Sequence, residues 1–584
     1  MKEEGKIKIL GLVQKSTGSH FHRIVIPLTY LQGKEVEIEG EKYIIETNII
    51  YREENSFYFT EQDVKENDII ANNFNTLNNP AFLETLCEMH GTKRWLDIDD
   101  ATHLPDNHIN IKAKGKEMMN YSEQSLHRSI SCADLVTCTN DYILSSIVNL
   151  ASFIGTSENY LPDDGEFKVV EKSKRDGKIA IGVICSVSHY NDILSIRNAI
   201  QKLSDDSDIQ KNCKWVVCGY IENDPLWTQI KNIFSGNSKM EVVTIPAKDP
   251  SEYMNLYDEV DILLNPLENT EFNSKKSALK LLECSIKEVV MLSSPVYLNK
   301  EFSGFVVCNK TKDWYQSIKK LIKNDEYLKI GKAMSEINLK DNHFDYRMDK
   351  LKIGIQHILQ NEYKMDENLK VYGIVYKDDQ FTPFIKYDNS HIKTVEQKSY
   401  LFESNPIIDI IDNQEFDSED YCGIFSWKFI YKTHISKKLL NKSFMELKKE
   451  NFDVIGLSPD VLKGMYLKFT EDKHPGFLEL FIPLCNDLGL QVTEPKHVIY
   501  SNFAIMKADL YKRFISEILK PAINLLETKY KDLAWRDSTY QGLTKEELQK
   551  ASGLDFYPFH TFILERLMSV WLENHPELTF YQLG

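Results

Sequence analysis

Over roughly its first 360 residues the chain alternates short β-branched runs with segments of helical length. That rhythm restricts it to doubly wound α/β sheets, because parallel strands need helical crossovers between them. Residues 7–13 (IKILGLV) read as a first strand running into the loop QKSTGSHFHR. Residues 67–71 and 94–98 read as further strands, the second ending at Asp97-Ile98-Asp99-Asp100. A helix around 122–133 leads to a strand over 134–140 (DLVTCTN). After 158–177, rich in Asp, Lys and Gly, strand signals restart at 178–185 (KIAIGVIC) and recur at 214–220, 240–246, 260–266 and 288–294. Helices expected over 191–203, 225–234, 250–257 and 275–285 separate them, and one over 342–361 closes this half.

A chain of 584 residues is too long for one hydrophobic core. The restart near 178 and a change of texture near 366 divide it into three expected domains, 1–170, 171–362 and 363–584. The first two read as Rossmann-like. The third, rich in aromatic residues and with long helices near 507–530 and 560–574, reads as mixed α/β. No internal repeat or low-complexity tract interrupts the pattern.

Charge narrows the partners. A formal charge of −17 repels a phosphate backbone unless a basic surface is kept locally, which excludes a general nucleic-acid coat. The ten cysteines form no CxxC pair and no metal-spaced cluster, and Cys185, Cys218 and Cys308 sit in apolar surroundings that suit reduced thiols. The first residues (MKEEGKIKILGLVQ) lack the apolar run and cleavage site of a signal peptide, and no apolar stretch approaches a membrane span. The expectation is a cytoplasmic protein of unspecified oligomeric state.

The segment Glu271-Phe-Asn-Ser-Lys-Lys-Ser-Ala-Leu-Lys-Leu-Leu-Glu283 follows a buried-looking strand and the turn Asn265-Pro266-Leu267. Read as one helix capped at Asn273 or Ser274, it carries Lys276, Lys280 and Glu283 on one face. A helix N-terminus with lysines beside it binds phosphate, and a carboxylate two turns on can accept both ribose hydroxyls. Such a helix can hold the nucleotide of a sugar donor; it can equally be an amphipathic surface helix with solvated charges.

This element, FNxxKSxxKxxE after a D-[IL]-x-L-x-P-L strand, resembles the donor site of GT-B glycosyltransferases of the kind found in bacteriophage and bacterial surface-glycan loci. Further pieces agree, in the expected order. Thr17-Gly18-Ser19-His20-Phe21-His22-Arg23 with Pro27 looks like the family's first loop. Trp95 to Asp100 with Leu104-Pro105 is similar to its DIDD…LP segment, and Ala133 to Thr139 to its aDxvtxsT strand. Ile181-Gly182 through Ser188-His189-Tyr190-Asn191-Asp192 is similar to the opening of the second domain, and Cys218-Gly219 to the glycine after its next strand. The resemblance implies two facing Rossmann-like domains and a transferase with no tightly bound cofactor. Its donor would be a nucleotide-sugar, UDP-linked for preference. Its acceptor would be a glycan or a hydroxymethylated pyrimidine in phage DNA. A non-catalytic nucleotide-sugar or glycan-binding protein is the alternative. Where many retaining relatives carry a Glu eight residues before Glu283, this chain has Lys275, so the stereochemical outcome stays open.

On this reading Lys276, Ser277, Lys280, Glu283, His189, Gly18 and Ser19 bind the donor, and Arg23 and His22 the acceptor. One carboxylate of Asp97, Asp99 and Asp100 acts as base on the acceptor hydroxyl or stabilises an oxocarbenium-like transition state. The competing reading makes the aspartates turn and cap residues and Arg23 a structural ion pair. In the last domain, Tyr421 to Phe429, Asp453 to Pro459, Asn502 to Ile505 and Tyr557 to His560 are similar to a module that accompanies such transferases, with a single-Rossmann, GT-A-like sheet. Tyr557, His560, Glu565 and Arg566 are its candidate polar groups, against a core-anchoring role. The chain has no P-loop, HExxH or dinucleotide GxGxxG, which weakens NTPase, metalloprotease and NAD-dependent readings.

Overall fold

The computed structural model describes residues 3–15, 17–52, 59–74, 80–101, 116–174, 177–236, 240–296, 304–361, 364–375, 390–394, 400–426, 428–457, 464–540 and 544–583. Of the expected pieces, Leu104-Pro105, Trp427 and Ser458-Pro459 lie outside these residues. By its internal contacts the chain divides into Met1–Pro80 with Thr92–Asn361, and Ala81–Gly91 with Glu362–Gly584.

The first unit holds two sheets. One contains β1 (Lys6–Gln14), β2 (Glu35–Ile38), β3 (Glu41–Arg52), β4 (Ile69–Asn73), β5 (Lys93–Ile98), β6 (Leu135–Cys138) and β7 (Ile154–Thr156), in the order β2-β3-β1-β4-β5-β6-β7. All its pairings are parallel except that of β2 with β3. The other contains β8 (Ile179–Ile184), β9 (Cys213–Tyr220), β10 (Val242–Pro246), β11 (Ile262–Asn265), β12 (Val290–Ser293) and β13 (Val306–Val307). Its order is β10-β9-β8-β11-β12-β13, parallel throughout. Both are Rossmann-like, as the alternating pattern requires. In each, the chain fills one side of its first strand and then crosses to the other. The resulting switch points, between β1 and β4 and between β8 and β11, are where open α/β sheets bind ligands.

Buried aliphatic residues cover both faces of the sheets. Close strand packing fixes Gly182, where a Cβ would lie 2.3 Å from the Val216 carbonyl oxygen. The helix Phe344–Gln360 returns to the first sheet, placing Met348, Leu351 and Ile355 in its core.

The second unit carries β14 (Leu369–Val375), β15 (Ser390–Thr394), β16 (Tyr421–Ser426), β17 (Val454–Gly456), β18 (Ala504–Lys507) and β19 (Phe580–Gln582), in the order β15-β14-β16-β18-β17-β19. Only β18 runs against its neighbours. Helices over Ala508–Phe514, Lys520–Glu527 and His560–Glu573 match the expected long helical stretches, with a π turn at Ile515–Leu519 joining the first two.

Three local expectations need correction. The helix expected over 275–285 is broken into Glu271–Ser274 and Leu279–Ile286. Thr270, not Asn273 or Ser274, caps the first piece. Asn273 is instead turned inward, its Nδ2 donating to Asp192 Oδ1 (2.9 Å) and the Glu268 carbonyl (3.1 Å). The loop expected after β1 is mostly helix, Gly18–His20 running through a π turn (Phe21–Val25) into Ile26–Leu31. The helix expected over 250–257 is a 3₁₀ segment, Pro250–Glu259, whose N-terminal Pro250 fixes φ but donates no N–H.

Candidate functional site

A cavity of about 490 Å³ opens at the carboxyl ends of both sheets of the first unit. It is lined by Gly18, Ser19, His22 and Arg23 after β1, Asp99 and Asp100 after β5, and His189 after β8. Lys276, Ser277, Lys280 and Glu283 complete its wall from the broken helical segment. Of the residues singled out in this half of the sequence, only Asp97 is not on the wall.

Asp97 is spent on the interior. Arg23, also fully buried, grips it with Nε to Oδ1 (2.9 Å) and Nη2 to Oδ2 (2.7 Å), and Thr137 Oγ1 donates to the same Oδ2 at 2.5 Å. Arg23 Nη1 donates to the Ser157 carbonyl and to Asn159 Oδ1. A bidentate pair this enclosed is a positional lock, since removing either partner would strand a buried charge.

The three aspartates are thus differentiated. Asp100 accepts from Lys276 Nζ at 2.7 Å. Asp99 accepts from Asn73 Nδ2 at 3.1 Å and meets no cation at bonding distance among the described residues. Burial, followed by the like charge of Asp100, pushes the Asp99 carboxyl above the ordinary carboxylate range.

Opposite lies the break in the segment Glu271 to Glu283. Asn140 Nδ2 donates to the Lys275 carbonyl (2.8 Å), Asn159 Nδ2 to Ser277 Oγ (2.9 Å), and Lys276 reaches Asp100. These contacts draw 275–278 out of helical geometry, so Lys276 precedes the helix that carries Lys280 and Glu283. That helix starts at Ala278, which offers no capping side chain. Its first N–H groups therefore meet the cavity edge.

Lys280 is half-buried and, among the described residues, has no hydrogen-bond or ion-pair partner. Glu283 is buried, accepting from Tyr257 Oη at 2.5 Å, with His22 Nε2 3.2 Å from its Oε1. His189 Nδ1 lies 2.8 Å from Asp192 Oδ2. Burial pushes the His189 imidazole below its ordinary value, the Asp192 contact opposes this, and Lys280 and Lys276 add to the lowering. A neutral ring donating from Nδ1 to Asp192 leaves Nε2 as an acceptor.

Sequence reasoning gave no role to Asn140, Asn159 or Asp192. The polar end of DLVTCTN holds Asn140, but nothing local announces its partner 135 residues away. Gly219 is required by backbone: φ is +90° and a Cβ would meet the Cys185 carbonyl oxygen at 2.4 Å. Gly18 differs, for a Cβ there would meet no atom within 4 Å. All ten cysteines are free, and no helix among the described residues is long and apolar enough to cross a membrane.

The candidates of the last domain lie in the second unit. Tyr557 is buried and stacked on Phe402, and His560 is buried with Nε2 2.9 Å from Glu527 Oε1. Arg566 Nη1 lies 2.7 Å from Glu565 Oε2.

No family model matches the chain, and no curated protein does. Solved structures similar to it include a UDP-forming α,α-trehalose-phosphate synthase from Burkholderia xenovorans, at 9% identity and TM-score 0.42, covering 61% of this chain and 100% of that one. A glycosyltransferase from Rickettsia africae is 14% identical with TM-score 0.40, over 61% of this chain and 100% of that one. An α,α-trehalose 6-phosphate synthase from Burkholderia multivorans is 9% identical with TM-score 0.40, over 61% and 99%. The Rossmann-like assignment rests on the sheet orders given above.

Proposed function

We propose that this chain is a glycosyltransferase that moves a sugar from a nucleoside-diphosphate sugar, UDP-linked for preference, to an acceptor hydroxyl. The observation that carries the reading is Lys280, a half-buried ammonium that lines the cavity with no anionic partner among the described residues. A partly desolvated cation is stabilised by an anionic ligand, and the uncapped helix start at Ala278 aims N–H groups at the same place. A diphosphate satisfies both. Glu283 belongs to the same wall, with Oε2 held by Tyr257 and Oε1 beside His22. His189, an acceptor at Nε2, suits a hydroxyl of the donor sugar better than a phosphate.

In the reaction the acceptor oxygen bonds to the anomeric carbon and the carbon–oxygen bond to the diphosphate breaks. The acceptor proton passes to Asp99, and the departing charge falls on Lys280, the helix start and Lys276 once it leaves Asp100. Asp97 and Arg23 hold the loop ends that carry these groups. The acidic acceptor side, Asp99 and Asp100, and the net charge of −17 favour a neutral glycan over DNA.

The test is Lys280→Ala. One charge-assisted phosphate contact is worth about 1.5–3 kcal/mol, so the UDP dissociation constant should rise tenfold to a hundredfold with the thermal midpoint unchanged. Unchanged UDP affinity would remove the donor assignment. Tight UDP-sugar binding by the native chain, with no hydrolysis or transfer on any acceptor, would make it a binding protein instead.

A further inference from the structure

The second unit holds a cluster that the proposed transferase chemistry does not use. Six described non-glycine residues of the second unit are held in left-handed backbone, among them Phe402 (φ 44°), Ser501 (55°), Asn502 (58°) and Thr539 (61°). For a bulky Phe and a β-branched Thr this conformation is costly, and such residues persist where the surroundings over-determine them. Ser501 belongs to a polar group, and Phe402 and Thr539 border an aromatic group whose Tyr540 packs on Phe562, one helical turn before Glu565 and Arg566. The Ser501 N–H donates to Glu565 Oε1 at 2.7 Å, and Lys432 Nζ donates to Ser501 Oγ at 2.6 Å. Glu565 Oε2 lies 2.7 Å from the buried Arg566, whose Nε donates to Thr470 Oγ1 at 3.1 Å. Thr539 leads into Tyr540, whose ring is 48% exposed and packs edge-on against Tyr557 and His474. Tyr557 in turn stacks on Phe402.

The location follows from topology. The chain leaves β14 for β15 on one side and for β16 on the other, a switch point of the third sheet. Lys432 follows the carboxyl end of β16. Ser501 and Asn502 precede β18, which is antiparallel to β16 and so starts at that same end.

The geometry points to a carbohydrate-binding site at this end of the second unit, formed by Lys432, Ser501, Glu565, Arg566 and Tyr540, that takes a neutral pyranose of a glycan. The Glu565 carboxylate, held by the buried Arg566, and the Lys432 ammonium present an acceptor and a donor to vicinal hydroxyls, which use both. An exposed aromatic ring offers the apolar C–H face of a pyranose its stacking partner. Lys432 lies in the field of Glu565 and Glu403 as well as Lys428 and Arg566. The site does not depend on the donor cavity.

The full-length protein is applied to an array of neutral oligosaccharides, and the best ligand is titrated against three variants. Retention of at least one neutral glycan is expected. Tyr540→Ala should weaken it about tenfold, the loss of one ring contact, while leaving the thermal midpoint in place because this ring is largely solvent-facing. Glu565→Gln should weaken it comparably. Lys280→Ala should leave it unchanged, so failure of the donor assignment cannot imitate failure here. The inference is overturned if no neutral glycan is retained, if Tyr540→Ala binds as the native chain does, or if Lys280→Ala abolishes binding. It is also overturned if inorganic phosphate or UDP displaces the glycan.

Discussion

Asp97, Asp99 and Asp100 are three carboxylates in four positions, and their partners give them three different properties. Asp97 is held by Arg23, Asp100 by Lys276, and Asp99 by a single amide donor. Asp99 lines the cavity, and its carboxyl is pushed above the ordinary carboxylate range. Asp99→Asn is therefore expected to lower kcat by 10²–10⁴, the usual worth of a general base, with UDP affinity little changed. The same substitution should raise the thermal midpoint near neutral pH. A carboxyl whose folded pKa is raised binds its proton more tightly folded than unfolded, so its ionisation removes stability as pH rises, and an amide has nothing to ionise. A fall in both activity and midpoint would mean that Asp99 is structural. The pH profile adds a further check. The acid limb of kcat should lie above the ordinary carboxylate range, and Asp100→Asn, by removing the neighbouring like charge, should move it to lower pH. Asp100→Asn also releases Lys276, so UDP should bind a few-fold more tightly.

The segment from Thr270 to Ile286 shows how far sequence reading reaches and where it stops. The residues facing the cavity were legible only through the resemblance, because lysines and a carboxylate at helical spacing read equally as a solvated surface face. The strand–helix alternation was legible in the residues themselves: β-branched runs bury both faces of a parallel sheet. The broken helix was not. It arises from Asn140 and Asn159, whose amides reach 275–278 from over a hundred residues away, and from Asp192, which rotates Asn273 inward. No local propensity encodes a contact at that separation. The strand β3 (Glu41–Arg52) escaped notice because its burial is irregular, with Ile44 and Tyr51 exposed. Asn140 permits a direct test of the break. Its Oδ1 caps the helix Asp141–Ile147 while its Nδ2 holds the Lys275 carbonyl. Asn140→Asp keeps a good cap but replaces the donor with an acceptor facing a carbonyl. KM for the nucleotide-sugar should rise several-fold with the midpoint within about 2 °C of the native value. Equal loss of midpoint and affinity would show that the amide serves the helix alone.

Across the whole chain the decisive quantity is charge. A net −17 sets a long-range field that an uncharged acceptor ignores and a polyanion must overcome. A DNA acceptor would need a basic track, and binding through it would release counterions. Six or more phosphate contacts then cost about 10³-fold in affinity between 50 and 200 mM salt. A glycan releases none, since its hydroxyls bind by hydrogen bonds that salt hardly screens. Transfer from a labelled UDP-sugar should therefore show an acceptor KM that changes less than about twofold over that salt range, with hydroxymethylated duplex inert. The donor supplies an internal control. Its diphosphate meets a half-buried Lys280 rather than an exposed surface, so donor KM should rise only modestly with salt. A steep salt dependence confined to the acceptor, together with label appearing in duplex, would reverse the assignment of acceptor while leaving the donor cavity intact. The excess negative charge would then have to be overcome by a cationic surface engaging the duplex.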